Sequence, residues 1–82
     1  MNKEDNQYQP ISCELYSEYE LAIIHRQSIK LVWQTARQIH MATVIPQDLV
    51  TKDHQEFLLA RDHQGQALRI RLDHIRSQHF AK

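Results

Sequence analysis

The hydrophobic period of this chain changes at Ser28, and that change limits what it can build. Upstream, Leu15, Tyr19, Ala22 and Ile23 recur at the spacing of one helical face. Downstream, Ile29, Leu31 and Trp33 alternate with Lys30, Val32 and Gln34, the period of a half-buried strand. Residues 39–45 are rich in β-branched side chains and read as a second strand closed by Pro46. Glu56 to Arg61 reads as a third strand, Leu68 to Leu72 as a fourth with Arg69 and Arg71 outward, and Ile75 anchors a short fifth. Between them lie a polar loop over Gln34–Gln38, a turn over Lys52–Gln55 and the Asp62–Gly65 turn. One helix followed by four or five short antiparallel strands has one economical solution. The sheet bends strongly and closes into a small barrel or sandwich, with the helix over one open end.

Two serines compete to start the helix. Ser12 follows Pro10 and can open a turn at Cys13. Ser17 with Glu20 three residues later matches a capping box, the cleaner signal. The helix is therefore expected from Cys13 or Glu18 to about Arg26. Residues 1–9 read as a flexible tail, 10–78 as a single domain and 79–82 as a polar tail.

Size and composition exclude several classes. A chain of 82 residues makes one small domain, which buries only about 60–65% of its unfolded surface. At 41% apolar content it is too hydrophobic for a wholly disordered chain. The single cysteine, Cys13, cannot form an internal disulfide, which fits a reducing cytosol. Cys13 reads as a small buried hydrophobe. Gly65 is the only glycine, so neither a P-loop nor a dinucleotide fingerprint is present. No apolar run reaches the length of a membrane span, and the polar N-terminus is no signal peptide. A cytoplasmic protein is expected. His25, His40, His54, His63, His74 and His79 match no compact ligand spacing, so no metal and no cofactor are expected. No motif joins a nucleophile, a base and an anion hole, so an enzyme is not expected.

The zero net charge hides a gradient. Residues 1–24 carry five carboxylates against Lys3, a net −4, and residues 25–82 carry a net +4. Such asymmetry steers encounter with charged partners.

The stretch Tyr8-Gln9-Pro10-Ile11-Ser12-Cys13, followed by Tyr16 and Glu20-Leu21-Ala22, resembles the opening of the Rho-binding antiterminator (Rof) family. Asp48-Leu49-Val50, Glu56-Phe57-Leu58 and Leu68-Arg69-Ile70-Arg71-Leu72-Asp73 followed by Ile75 extend the resemblance to about Gln78. It implies an Sm-like fold: an N-terminal helix and a bent five-stranded antiparallel barrel. It also implies a non-enzymatic inhibitor of the transcription terminator Rho, binding the RNA-binding N-terminal region of Rho and blocking RNA access.

Carried over residue by residue, the resemblance assigns partner contact to Cys13, Tyr16 and Glu20. Glu14, Ser17 and Glu18 lie beside them, and Lys52 and His54 form a second contact region. The chain departs from the family where Ser17 replaces a usually acidic residue and Asp53 a familiar basic one. Its Thr35–Gln38 loop reads as longer than usual, and its net charge is less acidic. A free monomer is expected. The alternative is an Sm-like module that binds RNA directly through Arg69, Arg71 and Arg76, with Arg61 adjacent. No aromatics interleave those arginines in the sequence, so a base-stacking platform is not expected there.

Overall fold

The computed structural model describes residues 7–81. Helix α1 spans Cys13–His25, and Ser12 caps it: its backbone is extended (φ −65°, ψ 152°) and its Oγ accepts the Leu15 N–H at 3.1 Å. Ser17 and Glu20 therefore sit inside the helix and form no capping box. A box needs its serine outside helical geometry, and Pro10 and Ser12 have already set the start. The far end closes on Arg26 in the left-handed region (φ 53°). There the Gln27 N–H reaches the Ala22 carbonyl at 2.8 Å and the Arg26 N–H reaches that of Ile23 at 3.2 Å, which is a Schellman closure. Tyr19 and Ala22 are fully buried, with Leu15, Tyr16 and Ile23 half-buried beside them. Leu21 and Ile24 stay exposed.

Five antiparallel strands form one sheet in the order β4-β3-β2-β1-β5. They are β1 (Ile29–Thr35), β2 (Gln38–Lys52), β3 (Gln55–Asp62), β4 (Ala67–Arg71) and β5 (Ile75–Phe80), with a 3-10 turn over Leu72–His74 between the last two. The mainly β architecture and its single N-terminal helix agree with expectation. The sheet, however, bends without closing into a barrel: β4 and β5 are its two edges.

The second strand differs most from its sequence reading. Pro46 does not end it; β2 runs for 15 residues. Its first half pairs with β1 as far as Val44↔Ile29, and from Val44↔Asp62 onward it pairs with β3. The register shifts between Pro46 and Asp48, leaving Gln47 as a bulge. Proline is tolerated there because it lies beyond the β1 ladder, where a missing N–H breaks no bond. The Gln34–Gln38 loop is likewise absent. Gln34↔Ile39 and Thr35↔Gln38 are paired, and the turn is only Ala36-Arg37, with Ala36 at φ 48°. Asp53 (φ 53°) and His54 (φ 63°) make a two-residue turn of the kind that matches strand twist.

The inward alternation of Ile29, Leu31 and Trp33 is as the sequence predicts. These side chains meet Val44, Leu58, Ala60, Ile70 and Leu72 from the sheet, and Tyr19 and Ala22 from α1. Tyr19 also ties the helix to β5. Its ring lies 5.7 Å from that of Phe80, and its hydroxyl donates to Gln78 Oε1 at 3.4 Å. Residues 79–80 are thus part of β5 rather than of a tail, and the Ala81 N–H bonds to the Ser28 carbonyl.

The N-terminal tail expected over residues 1–9 falls partly outside the described residues. Tyr8 and Gln9 are anchored. The Tyr8 hydroxyl donates to Glu56 Oε1 at 2.9 Å, and the Gln9 N–H donates to Asp73 Oδ2 at 2.9 Å. Asp73 also receives Arg71 Nε at 2.6 Å and Nη2 at 2.8 Å, a two-pronged ion pair that is largely buried. Burial alone would raise the Asp73 carboxyl. The hydrogen bonds from Arg71 and Gln9 outweigh it and hold the group below the usual carboxylate range.

Two outcomes follow in urea unfolding at neutral pH. Ser12→Ala costs about 1 kcal/mol, whereas Ser17→Ala changes stability by less than about 0.5 kcal/mol. Asp73→Asn costs about 2–3 kcal/mol, because it removes the carboxylate that pairs at two points with the largely buried Arg71. Folding depresses the Asp73 pKa, so its contribution is complete above the unfolded value near 4. It is lost as pH falls through the folded value. The gap between wild type and Asp73→Asn therefore narrows below about pH 4.

Candidate functional site

Along α1, Tyr16, Glu20, Ile23 and Ile24 recur at three- and four-residue spacing and turn toward one side. The bulge at Gln47 re-aims the second half of β2 so that Asp48 and Leu49 come alongside them. Together these six residues line a shallow groove of about 250 Å³. Beyond Ile23 a second depression of about 440 Å³ runs along Arg26, Ile45, Pro46 and Gln47. The seam between helix and strand is thus concave along its length.

The groove is acidic and apolar together. The Tyr16 phenol is pushed above its ordinary value, first by partial burial and then by the carboxylates of Glu56, Glu20 and Asp48. Two of these carboxylates, Glu20 of α1 and Asp48 of β2, line the groove with the Tyr16 ring. Ile24, 71% exposed, adds apolar surface at the rim. Asp48 accepts the Leu49 N–H at 2.8 Å.

The structure sorts the other sequence-predicted positions. Glu14, Ser17 and Glu18 are exposed, away from the Tyr16 groove. Glu18 instead lines, with Leu21, Gln27 and Phe80, a separate hollow of about 320 Å³ on the β5 side. Cys13 is exposed in the first helical turn, not buried as expected, because the apolar stripe of α1 begins at Leu15. Lys52 and His54 are exposed at the tip of the β2–β3 hairpin. Lys52 is four residues beyond Asp48, about 13 Å along the strand. The hairpin also carries Glu56, opposite Thr51, into the neighbourhood of Tyr16.

Sequence reasoning missed Ile23, Ile24, Asp48 and Leu49 as parts of this surface. Ile24 left a signal, since it stands outside the buried stripe of the helix. Asp48 and Leu49 stood out only within the family resemblance, and no local pattern set them beside the helix, because the bulge that delivers them sits beside a proline that reads as a strand end.

The arginines do not form a bare stripe. Arg61 Nη1 donates to the Gly65 carbonyl at 2.7 Å, and Arg76 Nη1 to that of Asp73 at 3.1 Å. Arg71 is paired with Asp73. Arg69 lies over Phe57, its guanidinium carbon 4.9 Å from the ring centroid, so an aromatic does accompany the basic face. Among the described residues no group of three or more His, Cys, Asp or Glu side chains is placed to hold a metal ion. No helix among them is long and apolar enough to cross a membrane.

No protein family's sequence profile matches the chain. No curated protein matches it either. Among solved structures, proteasome accessory factor B/C (PafBC) of Arthrobacter aurescens is similar, with a TM-score of 0.73 and 19% identity. That likeness covers 88% of this chain but only 12% of PafBC, and it shows the fold alone.

Proposed function

We propose that this chain is a non-enzymatic inhibitor of the transcription terminator Rho. It binds the RNA-binding N-terminal region of Rho through α1 and the adjoining groove, and so keeps RNA out. The observation that carries the reading is the groove in which Glu20 and Asp48 flank Tyr16, with Ile24 exposed beside it. A site built for single-stranded RNA is basic and offers stacking surfaces. A surface that competes for it needs carboxylates where phosphates sit and aromatic or apolar area where bases stack. The Tyr16 groove has both. Glu14 and Glu18 extend the negative field of the helix, which speeds encounter with a basic partner.

The resemblance of Tyr8–Cys13, Tyr16 and Glu20 to the Rho-binding antiterminator family supports the same reading. A helix followed by five antiparallel strands is the element order it implies, with the sheet open where a barrel was expected. Cys13 lies one turn before Tyr16, and Lys52 and His54 form the second contact at the hairpin tip. Ser17 is exposed, so replacing an acidic residue there removes one charge and disturbs no packing. The protein acts as a monomer in the cytoplasm, without a cofactor.

The test measures direct binding of the labelled protein to Rho in the absence of RNA, then displacement of a labelled pyrimidine-rich RNA from Rho. Wild type binds and displaces. Glu20→Lys binds at least about tenfold more weakly, a change of about 1.4 kcal/mol. Arg69→Glu behaves as wild type. Failure of wild type to bind Rho, or equal binding by Glu20→Lys, overturns the proposal.

A further inference from the structure

A second concave site lies among residues that the helix groove does not use. Where the end of β1, the start of β3 and the end of β4 meet, a groove of about 350 Å³ opens. Its aromatic walls are Trp33 and Phe57, its cationic rim is Arg69 and Arg71, and Thr35 and Gln55 supply polar edges. It shares no residue with the Tyr16 groove.

The walls are rigid. Trp33 is only 8% exposed, and its ring stacks on His40 at 5.2 Å with an interplanar angle of 18°. His40 is itself held, its Nε2 lying 2.7 Å from Thr35 Oγ1. Arg71 is committed to Asp73, which leaves Arg69 as the exposed guanidinium of the rim, resting on Phe57. A guanidinium over a phenyl ring gains little at an exposed site, about 0.5–1 kcal/mol. Arg69 can therefore shift to a phosphate and leave the ring face to a stacked base. His74 at the groove is held below the ordinary histidine value, first by burial and then by Arg71, with Asp73 opposing and Arg76 adding to Arg71. The volume is at the small end of ligand sites and suits one unit rather than a long ligand.

We propose that this groove binds a single nucleotide unit, with its base stacked on Phe57 beside Trp33 and its phosphate paired to Arg69. Thr35 and Gln55 are the hydrogen-bonding groups that meet the edge of the base. Stacking on an aromatic side chain is worth about 1–3 kcal/mol per base, and every base offers a face for it. The unit can come from a free nucleotide or from single-stranded RNA.

Trp33 is the only tryptophan, so its fluorescence reports this groove alone. The protein is titrated with uridine and adenosine monophosphates, and separately with oligouridine and oligoadenosine. Saturable quenching with a Kd below about 1 mM is expected. Arg69→Glu, at an exposed position, weakens it at least about tenfold, and so does Phe57→Leu; Glu20→Lys leaves it unchanged. Mononucleotides binding as tightly as oligomers identify a free-nucleotide site, and much tighter oligomers identify single-stranded RNA. Absence of saturable quenching with either kind of ligand overturns the proposal. So does quenching that Arg69→Glu leaves intact. Because Rho binding is read with the helix variant and without RNA, the two proposals fail independently.

Discussion

One strand belongs to two half-sheets, and the rest of the molecule is arranged around it. β2 pairs with β1 as far as Val44 and with β3 from Val44 onward, and it bends through Pro46 and the Gln47 bulge. A straight strand of 15 residues would carry both partners in one plane, with one apolar face too wide for a single short helix to cover. The bend lets Ile29 and Leu31 on one side face Leu58 and Ile70 on the other across a common core. α1 then seals that core with only Tyr19 and Ala22 fully buried. The sheet has no need to close, because the 3-10 turn over Leu72–His74 joins its edge strands and Leu72 reaches the core.

The same bend makes the candidate surface. Without the bulge, Asp48 and Leu49 would continue the register of the strand and not flank the helix. With it, Asp48 of β2 joins Glu20 of α1 in the groove that Tyr16 lines. An exposed groove that is both acidic and apolar suits a cationic partner, which is why it is proposed as a docking surface. The arginines follow the opposite pattern: Arg61, Arg71 and Arg76 are tied to carbonyls or to Asp73. The basic face is thus largely committed to the fold.

What the sequence makes legible is local. The alternation of Ile29, Leu31 and Trp33, the end of the helix at Arg26 and the turn at Gly65 follow from patterns a few residues long. Tyr16 and Glu20 fall on one helical face by their spacing alone. What it hides depends on distant partners. Gln9 is ordered by Asp73, 64 residues away, and a polar N-terminus carries no sign of that. Phe80 is held by Tyr19. The Ala36-Arg37 turn lacks the glycine or asparagine that marks tight hairpins, so a two-residue turn reads as a longer loop. Ser17 and Glu20 imitate a start signal that Ser12 has already supplied. The base-sized groove was invisible for the same reason, since Trp33, Phe57 and Arg69 come from three strands.

Hydrogen–deuterium exchange of the protein alone and with Rho tests the central claim most directly. The account predicts slowed exchange confined to α1 from Cys13 to Ile24 and to the stretch from Gln47 through the hairpin tip at His54, with β4 unchanged. Protection centred on β3 and β4 around Phe57 and Arg69, or no protection anywhere, would contradict it.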